Sequence, residues 1–108
     1  MRDRRAWVRF AIDLNVTYRQ AGALKDSGWP GRVANVSAGG LSLLLRHRFE
    51  AGTQLAVEVH NRAGTFRRTL LARVRHATAV IASGDPRWLV GCAFEQNLTE
   101  EELKALNQ

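Results

Sequence analysis

RFAIDLNVTY, residues 9–18, reads as a half-buried β-strand. Phe10, Ile12, Leu14, Val16 and Tyr18 alternate with Arg9, Ala11, Asp13, Asn15 and Thr17. A period of two sets one face of an extended chain against a core and leaves the other to water. The same alternation recurs along the chain. After a Gly-, Ser- and Pro-containing surface loop over residues 20–31, a shorter strand spans Gly31 to Val36 and runs into a Ser37-Ala38-Gly39-Gly40 turn. Leu41, Leu43 and Leu45 then mark a third strand. Phe49 to Gly52 turns the chain, and Leu55, Val57 and Val59 mark a fourth. A tight connection is expected from Asn61 to Gly64. Phe66, Leu70, Ala72 and Val74 share one face of a long fifth strand, with Arg68 as the exception. Ser83-Gly84-Asp85-Pro86 is a turn signal, and Trp88 to Phe94 forms the sixth strand.

Beyond Phe94 the period changes. Thr99 stands three residues before Glu102, the spacing of a capping box, and Glu100 to Glu102 suit the positive end of a helix dipole. Leu98, Leu103 and Leu106 give this short helix an apolar side to lay on the strands. Six short strands joined by turns favour a closed or nearly closed barrel over an open sheet. The length of 108 residues suits one domain with one modest core.

The composition, 45% hydrophobic and 24% charged, matches that of a soluble globular protein. No apolar run approaches the roughly 18 residues of a membrane span, so no membrane insertion is expected. The basic N-terminus lacks a secretory apolar stretch, and a cytoplasmic location is expected. Cys92, the single cysteine, can form no internal disulfide. The net charge is +6, and 14 of the 16 basic residues are arginine. Arginine forks onto phosphates and guanine edges and stacks on flat rings, whereas lysine is a point charge. An anionic partner is expected on that ground, although a genome rich in arginine codons would leave the same mark.

Two short motifs carry more. Arg4-Arg5-Ala-Trp-Val-Arg9 lies immediately before the first strand, and Asn35-Val-Ser37-Ala-Gly39-Gly40 lies at the turn after the second, about 25 residues on. In this order and setting they resemble the RxxxR and (D/N)xSxxG motifs of the PilZ domain family. Arg5 and Arg9 match the first; Asn35, Ser37 and Gly40 match the second. Leu89 to Phe94 is similar to the family's last strand, so the resemblance covers essentially the whole chain.

The resemblance implies an all-β fold, a six-stranded antiparallel barrel with a short C-terminal helix, in a single domain over residues 1–108. Within it, residues 1–9 form a flexible arginine-rich clamp, 10–94 the barrel and 98–107 the helix. It implies binding of the bacterial second messenger cyclic di-GMP and relay of that state to an effector protein or tethered domain. Arg4, Arg5 and Arg9 are expected on phosphates and guanine edges. Asn35, Ser37, Gly39 and Gly40 are expected to form the facing wall. Residues two apart on a strand share a face, so Asn35 and Ser37 can converge on one guanine. Where the family has Asp at the position of Asn35, the carboxylate can accept from both N1–H and N2–H. Asn35 has one acceptor oxygen, and a weaker pairing is expected. The two glycines are expected to let the ligand approach the backbone closely. Arg4, just before RxxxR, implies a stacked pair of ligands per chain rather than one.

Other readings stay open. A degenerate domain could serve as a protein-interaction adaptor without nucleotide, and Asn35 leaves room for it. A barrel binding single-stranded nucleic acid needs several exposed aromatics on one face. Phe10, Tyr18, Phe66 and Phe94 all fall on core faces, so no DNA or RNA partner is expected. Trp7 could stack on a guanine or simply pack, and Arg32, opposite the motif face of a regular strand, reads as a surface charge. His47, His60 and His76 have no metal-ligand spacing with one another or with Cys92, and no metal or cofactor is expected. Ser37 lacks the context of a nucleophile elbow, and nothing argues for an enzyme.

Overall fold

The computed structural model describes residues 10–24 and 27–106, with the backbone alone for residues 10–13. Six strands and one helix follow in order: β1 (Phe10–Gln20), β2 (Trp29–Val36), β3 (Gly40–Leu45), β4 (Gln54–His60), β5 (Arg67–Ala82), β6 (Asp85–Phe94) and α1 (Glu100–Leu106). The strands close into a barrel in the order β1-β2-β3-β6-β5-β4, every neighbouring pair antiparallel. Closure gives every strand a paired neighbour on both sides over part of its length, the general solution to the open-edge problem of β-proteins.

The period-two faces become the core. Leu14, Val16 and Tyr18 of β1 point inward, as do Leu41, Leu43 and Leu45 of β3 and Leu55, Val57 and Val59 of β4. Burying a side chain of this size is worth about 1.5–3 kcal/mol. Tyr18 is fully buried, and its hydroxyl is 2.7 Å from His47 Nδ1 at one end of the barrel. Trp29 and Phe49 pack around the same pair. Cys92 lies in the core, and burial pushes its thiol up to about 12.

The helix starts where the capping box places it. The Glu102 N–H donates to Thr99 Oγ1 at 3.1 Å, and the Thr99 N–H donates to Glu102 Oε1 at 2.9 Å. Leu98 and Leu106 are buried, and Leu103 packs on the same core. Glu102 also pairs with Arg68, which accounts for the charge on an otherwise apolar face: that position reaches the helix instead of the barrel interior. Asn61 is nearly fully buried. Its Nδ2 donates to the Ala105 carbonyl at 2.7 Å, and its Oδ1 accepts from the N–H groups of Thr65 and Phe66. One side chain thus ties the β4–β5 connection to the end of α1.

Several local expectations shift. β2 begins at Trp29 rather than Gly31, and β5 begins at Arg67, leaving Phe66 half-buried before it. The β5–β6 turn contracts to Ser83 and Gly84, both at positive φ (52° and 85°). That is the pattern of a two-residue hairpin turn whose twist matches its strands. Pro86 therefore sits inside β6, opposite Ile81, beyond the last residues that pair with β3. A missing N–H is tolerated there.

Three register irregularities decide what faces outward. They lie in β1 between Ala11 and Leu14, in β2 between Val33 and Asn35, and in β5 between Val74 and His76. Each inserts one residue against its partner strand and inverts the alternation beyond it.

Candidate functional site

A regular β2 would send Val33 and Asn35 to one side and Val36 to the other. The extra residue, Ala34, breaks that parity: Val33 and Val36 are both in the core, and Asn35 faces outward. Arg32 lies on this outer side too, so the expectation that it opposes Asn35 is corrected by the bulge.

Asn35 belongs to a row that crosses the outer wall. It pairs with Ala11 on β1 and Ser42 on β3; Ser42 pairs with Gly91 on β6, and Gly91 with His76 on β5. At strand spacing the row is about 19 Å long. All three bulges border it: Ala11 directly precedes one, and Asn35 and His76 directly follow the others. Bulges concentrate beside binding sites because they re-aim side chains without breaking a sheet. The imidazole of exposed His76 lies over Gly91, where a Cβ would come within 2.8 Å of Nδ1. A flat ring on a bare backbone thus forms one end of the row, and half-buried Asn35 stands toward the other.

The turn beside Asn35 is held on every side. The Ser37 N–H donates to the Gly40 carbonyl at 2.8 Å, and its buried hydroxyl lies 3.3 Å from the same oxygen. The Ala38 and Gly39 carbonyls accept from the N–H groups of Leu98 and Phe94, at 2.8 and 2.9 Å. β2 ends at Val36, so Asn35 and Ser37 do not share a strand face; the outward neighbour of Asn35 is Ser42. Gly40 answers to packing between strands. A Cβ there would run into the Cys92 carbonyl oxygen and stand 3.3 Å from Ala93 Cα. β3 and β6 can pair at this point only without a side chain.

Arg4, Arg5, Arg9 and Trp7 lie outside the described residues. Phe10, the residue after Arg9, pairs with Val36, the residue between Asn35 and Ser37. The strand that follows the first motif thus pairs with the strand that leads into the second. Ser42, Gly91 and His76 were not legible as site residues; a glycine inside a strand was the one available signal.

The chain matches the PilZ domain model over residues 3–108. No curated protein matches it in sequence. Among solved structures it is similar to Bacillus subtilis MotI/DgrA, an inhibitor of motility, at 19% identity and TM-score 0.71, covering 96% of this chain and 48% of that one. It is similar to the PilZ domain of Escherichia coli YcgR, solved with c-di-GMP, at 19% identity and TM-score 0.60, covering 96% and 86%. The K. pneumonia MrkH–c-di-GMP complex matches at 12% identity and TM-score 0.65, covering 95% and 49%. The chain therefore spans about half the length of MotI and MrkH. Six antiparallel strands in a closed barrel, a capped C-terminal helix and a family match over nearly every residue lead to one assignment: the chain belongs to the PilZ domain family.

Proposed function

We propose that this domain binds cyclic di-GMP across the outer row from Asn35 to His76 and relays its level to a partner protein or tethered domain. The observation that carries the reading is the pairing of Phe10, the residue after Arg9 in sequence, with Val36, which stands between Asn35 and Ser37. The latched turn supplies a rigid wall, with little ordering cost on its side of the complex. Asn35 addresses a guanine edge, Ser37 and Gly39 shape the wall, and Gly40 keeps that wall against β6. Gly91 lets the His76 ring lie flat on the sheet, and that ring offers a planar base a stacking partner. Arg4, Arg5 and Arg9 close over phosphates and guanines, since a guanidinium can pair bidentately with guanine O6 and N7. The role is binding, without catalysis. The presence of c-di-GMP in the YcgR and MrkH structures supports this choice of ligand. The doubled length of MotI and MrkH supports relay to an attached segment.

Titration calorimetry with cyclic di-GMP, GTP and a short oligonucleotide tests the proposal. Only cyclic di-GMP is expected to bind tightly, as two molecules per chain, with Arg4→Leu shifting the count toward one. Arg5→Ala and Arg9→Ala should each weaken binding by roughly 1–3 kcal/mol, the scale of a lost bidentate guanine contact. Unchanged affinity in both variants refutes the assignment.

A further inference from the structure

A second concave site lies on the same wall, away from the row. Arg32 is three residues before Asn35 on β2, about 10 Å along the strand. It pairs with Asn15 on one side and Leu44 on the other. The pairing of β3 with β6 ends at Leu45 and Trp88, so the tip of the β5–β6 hairpin overhangs this corner. Between the overhang and the sheet is a cavity of about 240 Å³, whose lining includes Asn15, Arg32, Arg46, Ser83, Asp85 and Arg87.

Among the described residues, three arginines and one aspartate line this space. Arg87 is held in place: its side chain is 22% exposed, and its Nη1 donates to the Pro86 carbonyl at 2.8 Å. Its one ion-pair partner among the described residues, Asp85, is 3.8 Å away and 66% exposed, a weak counter-charge in water. Arg46 makes no ion pair among the described residues. Positive charge gathered in a concave site, partly shielded from solvent, raises the local concentration of anions. Arginine forks suit the tetrahedral oxygens of phosphate, and Ser83 and Asn15 add neutral hydrogen-bonding groups. The volume falls below the roughly 300–1,000 Å³ of pockets that hold drug-sized ligands, so it fits a phosphate group and not a whole cyclic dinucleotide.

We infer that Arg46 and Arg87, with Arg32 as the third wall, form a second anion site for a phosphate or diphosphate group of a small molecule. The site is independent of the row that begins at Asn35. Its test is a titration of the full chain with inorganic pyrophosphate, followed by amide and arginine side-chain NMR. Saturable shifts at Arg46, Ser83, Gly84 and Arg87 are expected. Arg46→Gln and Arg87→Gln should each weaken binding at least tenfold, and Asn35→Ala should leave it within twofold. Guanosine and adenosine diphosphates separate the sources: affinity equal to that of pyrophosphate assigns the site to free phosphate groups, and tighter binding assigns it to a nucleotide. Shifts confined to the row around Asn35 and Ser42, shifts that never saturate, or a response to a short oligonucleotide but not to pyrophosphate would each overturn the inference.

Discussion

Gly40 and Gly91 face each other's strands two pairs apart, and the same substitution at each should have opposite consequences. At Gly40 an added methyl meets backbone: the Cys92 carbonyl oxygen and, at 3.3 Å, Ala93 Cα. Neither can rotate away, so β3 and β6 must separate. Overpacking of this kind costs about 1–3 kcal/mol. Separation also strains the Gly40–Ala93 pairing and the hydrogen bond from the Ser37 N–H to the Gly40 carbonyl, each worth about 1 kcal/mol. Gly40→Ala should therefore cost about 3 kcal/mol, a large part of a typical total of roughly 5–15 kcal/mol. At Gly91 the three atoms nearest the added methyl all belong to the His76 ring, on an exposed side chain that can swing aside. Gly91→Ala should cost less than about 1 kcal/mol. Its effect should fall instead on cyclic di-GMP affinity, by about tenfold, because the methyl pushes the His76 ring off its seat in the row. Urea unfolding followed by tryptophan fluorescence gives the two stabilities, and calorimetry on the folded variants gives the affinities. Equal stability losses in the two variants, or a Gly40→Ala protein as stable as the parent, would refute this account of why the motif ends in glycine.

Asn61→Ala strands two N–H groups and the Ala105 carbonyl in a buried connection, and should destabilise the fold by about 2–4 kcal/mol in urea denaturation; a loss below about 1 kcal/mol would mean that water replaces the side chain. Asn35→Asp should bind cyclic di-GMP at least as tightly as the parent in calorimetry, since a carboxylate accepts from both guanine N–H groups; a loss beyond roughly tenfold, about 1.4 kcal/mol, would show that Asn35 donates to the ligand instead. Cys92 titrates near 9.0 when exposed and near 12 in the fold, so above pH 9 the unfolded chain loses a proton that the folded chain keeps. Stability should fall as pH rises from about 9 toward 12, by up to about 1.4 kcal/mol per unit, and Cys92→Ala should flatten that slope in pH-dependent denaturation. Burial likewise raises Tyr18, so a residual slope above pH 10 is expected in that variant.

The strands and the helix cap were legible in the residues because their causes are local. Alternation from Leu14 to Tyr18 and from Leu41 to Leu45 follows from extended geometry, and the reciprocal bonds of Thr99 and Glu102 follow from a three-residue spacing. What faces outward was not legible. A bulge exists only relative to a partner strand, so nothing within residues 33–36 announces that Ala34 is the extra residue or that Asn35 turns outward beside Ser42. The placement of His76 over Gly91 needs the β5–β6 register, and the gathering of Arg32, Arg46 and Arg87 needs the hairpin to overhang the sheet. Asn61 looked like one more turn residue, yet its partners include a carbonyl 44 positions away. Periodicity along a chain decides which strands form; only register between chain-distant strands, set when the barrel closes, decides which side chains share a surface.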